Sequence, residues 1–324
     1  DLHLSIRRQR QMCIRDRFNP NSRDHISNRL MNKGWKPKDF TPDGKPKVDE
    51  SILSTLEYPE AKLLSEHFLI AKRIGMLAEG NNAWLKLQQD GKIYGSVITN
   101  GANTGRCTHQ RPNVAQTPSV SVPYGKECRS LFTVPDGYVL IGCDASGLEL
   151  RCLAHYLGAF DEGSFARELL DGDVHSKNQK QIGLPTRDLA KRVIYGVIYG
   201  IGDTRLGSIV EKTSYEGKRI KAKLFETIPA LKALRDSVLV KTRNQKYLLG
   251  LDKRKLIPRS EHSSLNLLIQ SCGALIIKMA TVILHNKLKE KNYDKNICSM
   301  VAHVHDELQL QCKSDYADEV GKLA

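Results

Sequence analysis

From Tyr138 the chain reads YVLIGCDASGLELRCLAHYLG, and its periodicity changes partway. Four apolar residues lead to Gly142-Cys143-Asp144, after which Leu148, Cys152 and His155-Tyr156 recur at helical intervals. This predicts a central strand over 138–141 that ends at Asp144, a turn through Ala145-Ser146-Gly147, and a helix carrying Glu149. Near the other end, in CSMVAHVHDELQLQC, Leu308, Leu310 and Cys312 alternate with Glu307, Gln309 and Gln311. Period-two alternation around a polar centre predicts a β-hairpin with His305 and Asp306 at its turn. A third segment, RDLAKRVIYGVIYG, predicts a helix that sets Arg187, Lys191, Tyr195 and Tyr199 on one face, four residues apart. Residues 53–87 read as helical, with Leu63, Leu64, Phe68, Ile74 and Leu77 on a core stripe, and the Pro- and Gly-punctuated residues 20–50 read as a loop-rich lead-in.

Each pattern has an ordinary explanation. A strand-terminal Asp often caps the next helix, and a helix with cations on one face is often a surface helix. Together they say more. If the hairpin lies beside the first strand, Asp144 and Asp306 face each other across 162 residues of sequence. Two close carboxylates raise each other's pKa unless a cation separates them, which suits magnesium. Two such ions about 4 Å apart activate an attacking hydroxyl and neutralise a leaving pyrophosphate. The two cations and two rings of the third segment offer phosphates and a base their partners. The pattern points to phosphoryl transfer.

These residues resemble DNA polymerase family A, in the branch of replicases from short-tailed bacteriophages. DASGLE at 144–149 is similar to the family's first palm motif, Arg187-x3-Lys191-x7-Tyr199-Gly200 to its fingers motif, and His305-Asp306-Glu307 to its third. TGRCTHQRPNVAQTP at 104–118 resembles the loop that tracks the primer-template minor groove, and LNLLIQSCGA at 265–274 the helix returning to the palm. The resemblance implies an α+β right-hand fold: residues 18–98 thumb-derived, 99–158 palm, 159–262 mainly helical fingers, and 263–324 a second part of an antiparallel-sheet palm, truncated at its C-terminus. It implies Asp144, the Ala145 carbonyl and Asp306 as ligands of two magnesium ions, and Glu307 near the primer terminus. Arg187, Lys191 and His175 would hold the dNTP phosphates, Lys191 also protonating the leaving pyrophosphate. Glu149, backed by Tyr195, would exclude a ribose 2′-hydroxyl. Arg106, Gln270, Tyr199 and His305 would contact DNA.

The implied function is a template-directed, DNA-dependent DNA polymerase core, with primer-template DNA and dNTPs as partners and a processivity factor reached through a segment outside this chain. A single-subunit RNA polymerase shares the two-Asp palm and the Lys-Tyr helix, but Glu149 argues against it. A catalytically inactive DNA-binding remnant is the alternative from another class.

Charge fits a nucleic-acid partner. The net formal charge is +14, and residues 201–260 hold 15 Lys or Arg against 6 Asp or Glu. Such clustering predicts a phosphate-facing surface. Residues 1–17 are expected to be a non-native tail, because RRQRQMCIRDR is similar to translated adapter read-through; leaving them out lowers the charge to +11. Eight cysteines without a Cys-x2-Cys predict neither a zinc site nor a disulfide framework and suit a reducing cytoplasm, which the resemblance implies is that of an infected bacterial cell. His303 and His305, expected to share a strand face, read as structural. No apolar run is expected to reach the 18 or so residues that span a bilayer.

Overall fold

The computed structural model describes residues 18–324, so the expectation for residues 1–17 lies outside the described residues. The chain divides into two compact units at residue 95.

In the first unit, Ser22 caps α1 (Arg23–Asn32) by accepting the His25 amide at 3.3 Å. Helices α2 (Glu50–Leu53) and α3 (Pro59–Ile74) follow, then a five-residue π-helix (Gly75–Glu79) and the short α4 (Trp84–Leu87). A two-residue hairpin pairs β1 (Gln88–Gln89) with β2 (Lys92–Ile93). Thus the lead-in contains a helix, and the single helix expected over 53–87 is broken. Pro59 explains one break: it lacks an N–H and disfavours helical geometry in the preceding residue, so it opens α3 instead of continuing α2. The predicted stripe also fails in part. Ala61 and Leu64 are buried with Ile26, Leu30, Val48 and Leu53, and Phe68 packs against them. Leu63, one position and about 100° off that line, is 67% exposed, and Ile74 is exposed as well.

The second unit opens with β3 (Ser96–Ile98) paired to β4 (Thr108–Gln110), followed by α5 (Gly125–Ser130). Next come β5 (Tyr138–Asp144) and α6 (Leu148–Asp161), the predicted strand-turn-helix. Helices α7 (Ser164–Asp171), α8 (Val174–Ile182), α9 (Arg187–Ile198), α10 (Asp203–Ile209), α11 (Ser214–Thr227) and α12 (Pro229–Gln245) form a helical layer. After the small hairpin of β6 (Leu248–Leu249) and β7 (Lys255–Leu256), the 27-residue α13 (Ser264–Glu290) leads to β8 (Cys298–Val304), β9 (Glu307–Lys313) and α14 (Ala317–Leu323).

The three-stranded antiparallel sheet has the order β5-β9-β8. The strand expected to be central, β5, is therefore at the edge, and Leu140 is exposed. The centre belongs to β9, whose Leu308, Leu310 and Cys312 turn into the core as their alternation predicts. Full burial of a side chain such as Leu310 contributes about 1.5–3 kcal/mol.

Helix α13 links two cores. Its Leu265, Leu268, Ile269 and Cys272 join the helical layer, while Ile277, Leu284 and Leu288 pack with the sheet and α14. This helix corrects the expectation about apolar runs. The stretch Glu261–Glu290 is long and apolar enough to cross a membrane by length and composition, with a mean hydropathy of 2.0 over its best window. Half of that window is buried inside the protein, and serving two cores accounts for its composition.

Candidate active site

Pairing of β5 with β9 builds the acidic centre. The register places Asp144 opposite Glu307, and the Ala145 amide donates to the Asp306 carbonyl at 3.1 Å. His305 and Asp306 form the two-residue turn of the β8–β9 hairpin, with His305 at φ +57°. His303 lies within β8, so these two histidines do not share a strand face. Both ring nitrogens of His303 are buried without a hydrogen-bond partner. Glu307 accepts a hydrogen bond from the Gln309 side chain.

Burial first, and then the charges of Asp306 and Glu307, raise the Asp144 carboxyl above its ordinary range. An anion destabilised in this way favours a cation beside it. Among the described residues, no three His, Cys, Asp or Glu side chains converge enough to hold a metal by themselves. The protein offers two carboxylates and the Ala145 carbonyl, which also accepts the Leu148 amide at 3.2 Å. Such a sparse oxygen set suits magnesium, which keeps water and substrate phosphates as its remaining ligands.

Helix α6 carries Glu149 from the end of β5 into a polar knot. Arg106 Nη2 donates to Glu149 Oε1 at 3.0 Å, with side chains only 17% and 12% exposed. The Tyr199 hydroxyl donates to the other carboxylate oxygen, Oε2. Burial, followed by this bond, pushes the Tyr199 phenol up. Its ring lies 6.1 Å from that of Tyr195, which is 6.4 Å from the His175 ring. Sequence reasoning set Arg106 and Tyr199 toward DNA and did not foresee that both hold Glu149.

On α9 the Thr186 hydroxyl caps the first turn by accepting the Leu189 amide at 3.2 Å. Ala190, Val193, Ile194, Val197 and Ile198 are buried, which leaves Arg187 and Lys191 exposed. Tyr199 is the C-cap of this helix, and Gly200 follows at φ +75°. A Cβ at Gly200 would collide with the backbone carbonyl of His262. His175, on α8, is buried, and its Nδ1 lacks a hydrogen-bond partner. Burial first, then Arg187 and Lys191, pull its pKa below the ordinary value, with Asp173 opposing.

Gln270 sits half-buried on α13. One turn before it, Asn266 keeps a buried side-chain oxygen without a partner. Sequence reasoning missed Asn266, although its i, i+4 spacing to Gln270 was available. It also missed Asp173, whose position before a helix and two residues from His175 is an N-cap signal. The seven described cysteines, from Cys107 to Cys312, are free thiols.

A strand-end Asp, a hairpin-turn Asp and a helix with two exposed cations thus lie on one α+β frame. The fold is similar to that of the POL domain of Pol1 from M. smegmatis, solved in complex with DNA primer-template and dNTP, at a TM-score of 0.79 and 22% identity over 96% of this chain and 57% of that one. The chain belongs to DNA polymerase family A, whose family model matches residues 4–324. It is 45% identical to the DNA-directed DNA polymerase of Enterobacteria phage T3 and 44% identical to that of Escherichia phage T7, over 92% and 94% of this chain. It spans about half the length of those relatives, 47% and 48%.

Proposed function

We propose that this chain is the core of a template-directed DNA polymerase that adds dNTPs to a primer 3′-hydroxyl. The observation that carries the reading is the β5–β9 register, which brings Asp144 to Glu307 and the Asp306 turn. Asp144, Asp306 and the Ala145 carbonyl would hold magnesium, which when bound would supply Lewis acidity for the attacking hydroxyl and positive charge for the leaving pyrophosphate. Arg187, Lys191 and His175 bind the β- and γ-phosphates, with Lys191 placed to protonate pyrophosphate as it departs. Glu149, held from both sides, fills the space a 2′-hydroxyl would need, and Tyr195 packs behind the sugar. Gln270 reads minor-groove acceptors that every correct pair presents alike. Arg106 does the same from beside Glu149, while His305 and Glu307 border the primer terminus. Residues 99–158 and 263–324 are the palm, 159–262 the fingers, and 18–98 derive from the thumb.

Primer extension with magnesium tests this, with dNTPs compared against NTPs. Asp144→Ala and Asp306→Ala are each expected to lose more than about ten-fold in turnover. Primer-template affinity should stay within several-fold, since dispersed phosphate contacts supply it. Retained turnover in either variant would overturn the assignment.

A further inference from the structure

One carboxylate joins the two helices that carry His175 and Arg187. Asp173 Oδ1 accepts the backbone amides of His175 at 3.1 Å and Ser176 at 3.2 Å, which caps α8. Its Oδ2 accepts the Ser176 hydroxyl at 2.7 Å and Nε of Arg187, the first residue of α9, also at 2.7 Å. The ends carrying His175 and Arg187 are therefore tied to a single side chain. Because the ion pair uses Nε, the two terminal nitrogens of Arg187 remain for bidentate contact with a phosphate.

We propose that Asp173 is a positioning residue for the nucleotide triphosphate, holding His175 and Arg187 in fixed relation and turning the free fork of Arg187 toward the phosphates. The proposal rests on the dNTP-binding reading above. An ordinary N-cap needs an acceptor but no charge and no partner on the next helix. An ordinary exposed ion pair contributes little and caps nothing. Asp173 does both, at the point where Arg187 and Lys191 bring positive charge up to the buried, neutral His175. It supplies the counter-charge, and its carboxyl is held far below the usual range, first by Arg187 and then by Ser176.

Asp173→Asn separates the two roles, because the amide oxygen still accepts the α8 amides while the negative charge that faces Arg187 is lost. The readouts are dNTP KM and kcat in primer extension and binding of inorganic triphosphate by titration calorimetry, which needs no turnover. We expect KM and the triphosphate dissociation constant to rise about ten-fold with kcat within about three-fold, and the melting temperature to hold. Adding Asp173→Asn to Arg187→Ala should bring no further loss, because the two act as a unit. Unchanged KM and triphosphate affinity in Asp173→Asn would overturn the proposal, as would full additivity in the double variant. If Arg187→Ala weakens triphosphate binding and Asp173→Asn does not, only the role of Asp173 falls. If neither variant changes binding, the triphosphate reading of the site falls with it.

Discussion

Glu149 shows how a residue legible by spacing acquires its function from neighbours that spacing does not reveal. Its place five residues after Asp144 follows from the strand-turn-helix pattern, but its rigidity comes from Arg106, 43 residues earlier, and Tyr199, 50 residues later. On the proposed reading, a carboxylate bonded through both oxygens does not swing aside for a 2′-hydroxyl. Glu149→Ala should therefore raise ribonucleotide incorporation by orders of magnitude, because exclusion made by packed atoms disappears with them. Tyr199→Phe, which frees Oε2 alone, should relax discrimination less. Single-nucleotide kinetics with dNTP and NTP pairs measures both, and unchanged discrimination in Glu149→Ala would refute the gate. Asp173 and Asn266 escaped the sequence reading although an N-cap position and an i, i+4 spacing were there to see, because neither signal says what lies opposite the side chain.

At the scale of elements, strand, helix and hairpin were readable wherever burial on one face imposed a period. The strand ending at Asp144, the alternation of β9 and the buried face of α9 all follow that rule. The reading failed where local chemistry interrupted the pattern, at Pro59 and at the π-helix after Ile74, or where strand order was needed, since β5 is the more apolar strand and yet β9 is central. The end of α9 is set by Gly200, where positive φ and the approach of the His262 carbonyl both require a residue without Cβ. Gly200→Ala is expected to lower stability by about 1–3 kcal/mol or more, from strain at that φ with the clash added. It should also displace Tyr199 and weaken sugar discrimination. Urea unfolding and the same nucleotide kinetics test this; an unperturbed midpoint would show that the turn adapts.

Across the whole molecule, acid should unfold the protein through buried histidines. His175 and His303 both have pKa values lowered chiefly by burial. In the unfolded chain a histidine titrates near 6.5. As pH falls below that value the unfolded state takes up protons that the folded state refuses, so stability is full above about pH 6.5 and is lost toward the depressed folded values. Asp144 works in the opposite direction, since its raised carboxyl binds a proton in the folded state first, but only at the lower pH where carboxylates titrate. The melting temperature should therefore fall between pH 7.5 and pH 5.5, by about 2–4 °C for each kcal/mol lost. A melting temperature that rises over this interval would contradict the assignment of both histidines as neutral and buried.

By itself the sequence determined the family, the α+β class, the strand, helix and hairpin that carry the acidic and cationic residues, and the clustered positive charge of residues 201–260. Those properties are local, written in period, spacing and composition within a few dozen residues. Tertiary structure alone decided that β9 and not β5 is central, that α13 is apolar because it serves two cores, that Arg106 and Tyr199 grip Glu149, and that Asp173 ties α8 to α9. Each of these depends on which distant segments meet. A residue's own neighbours in the chain carry its conformational preference, but its partner across the fold is chosen by the packing of the whole.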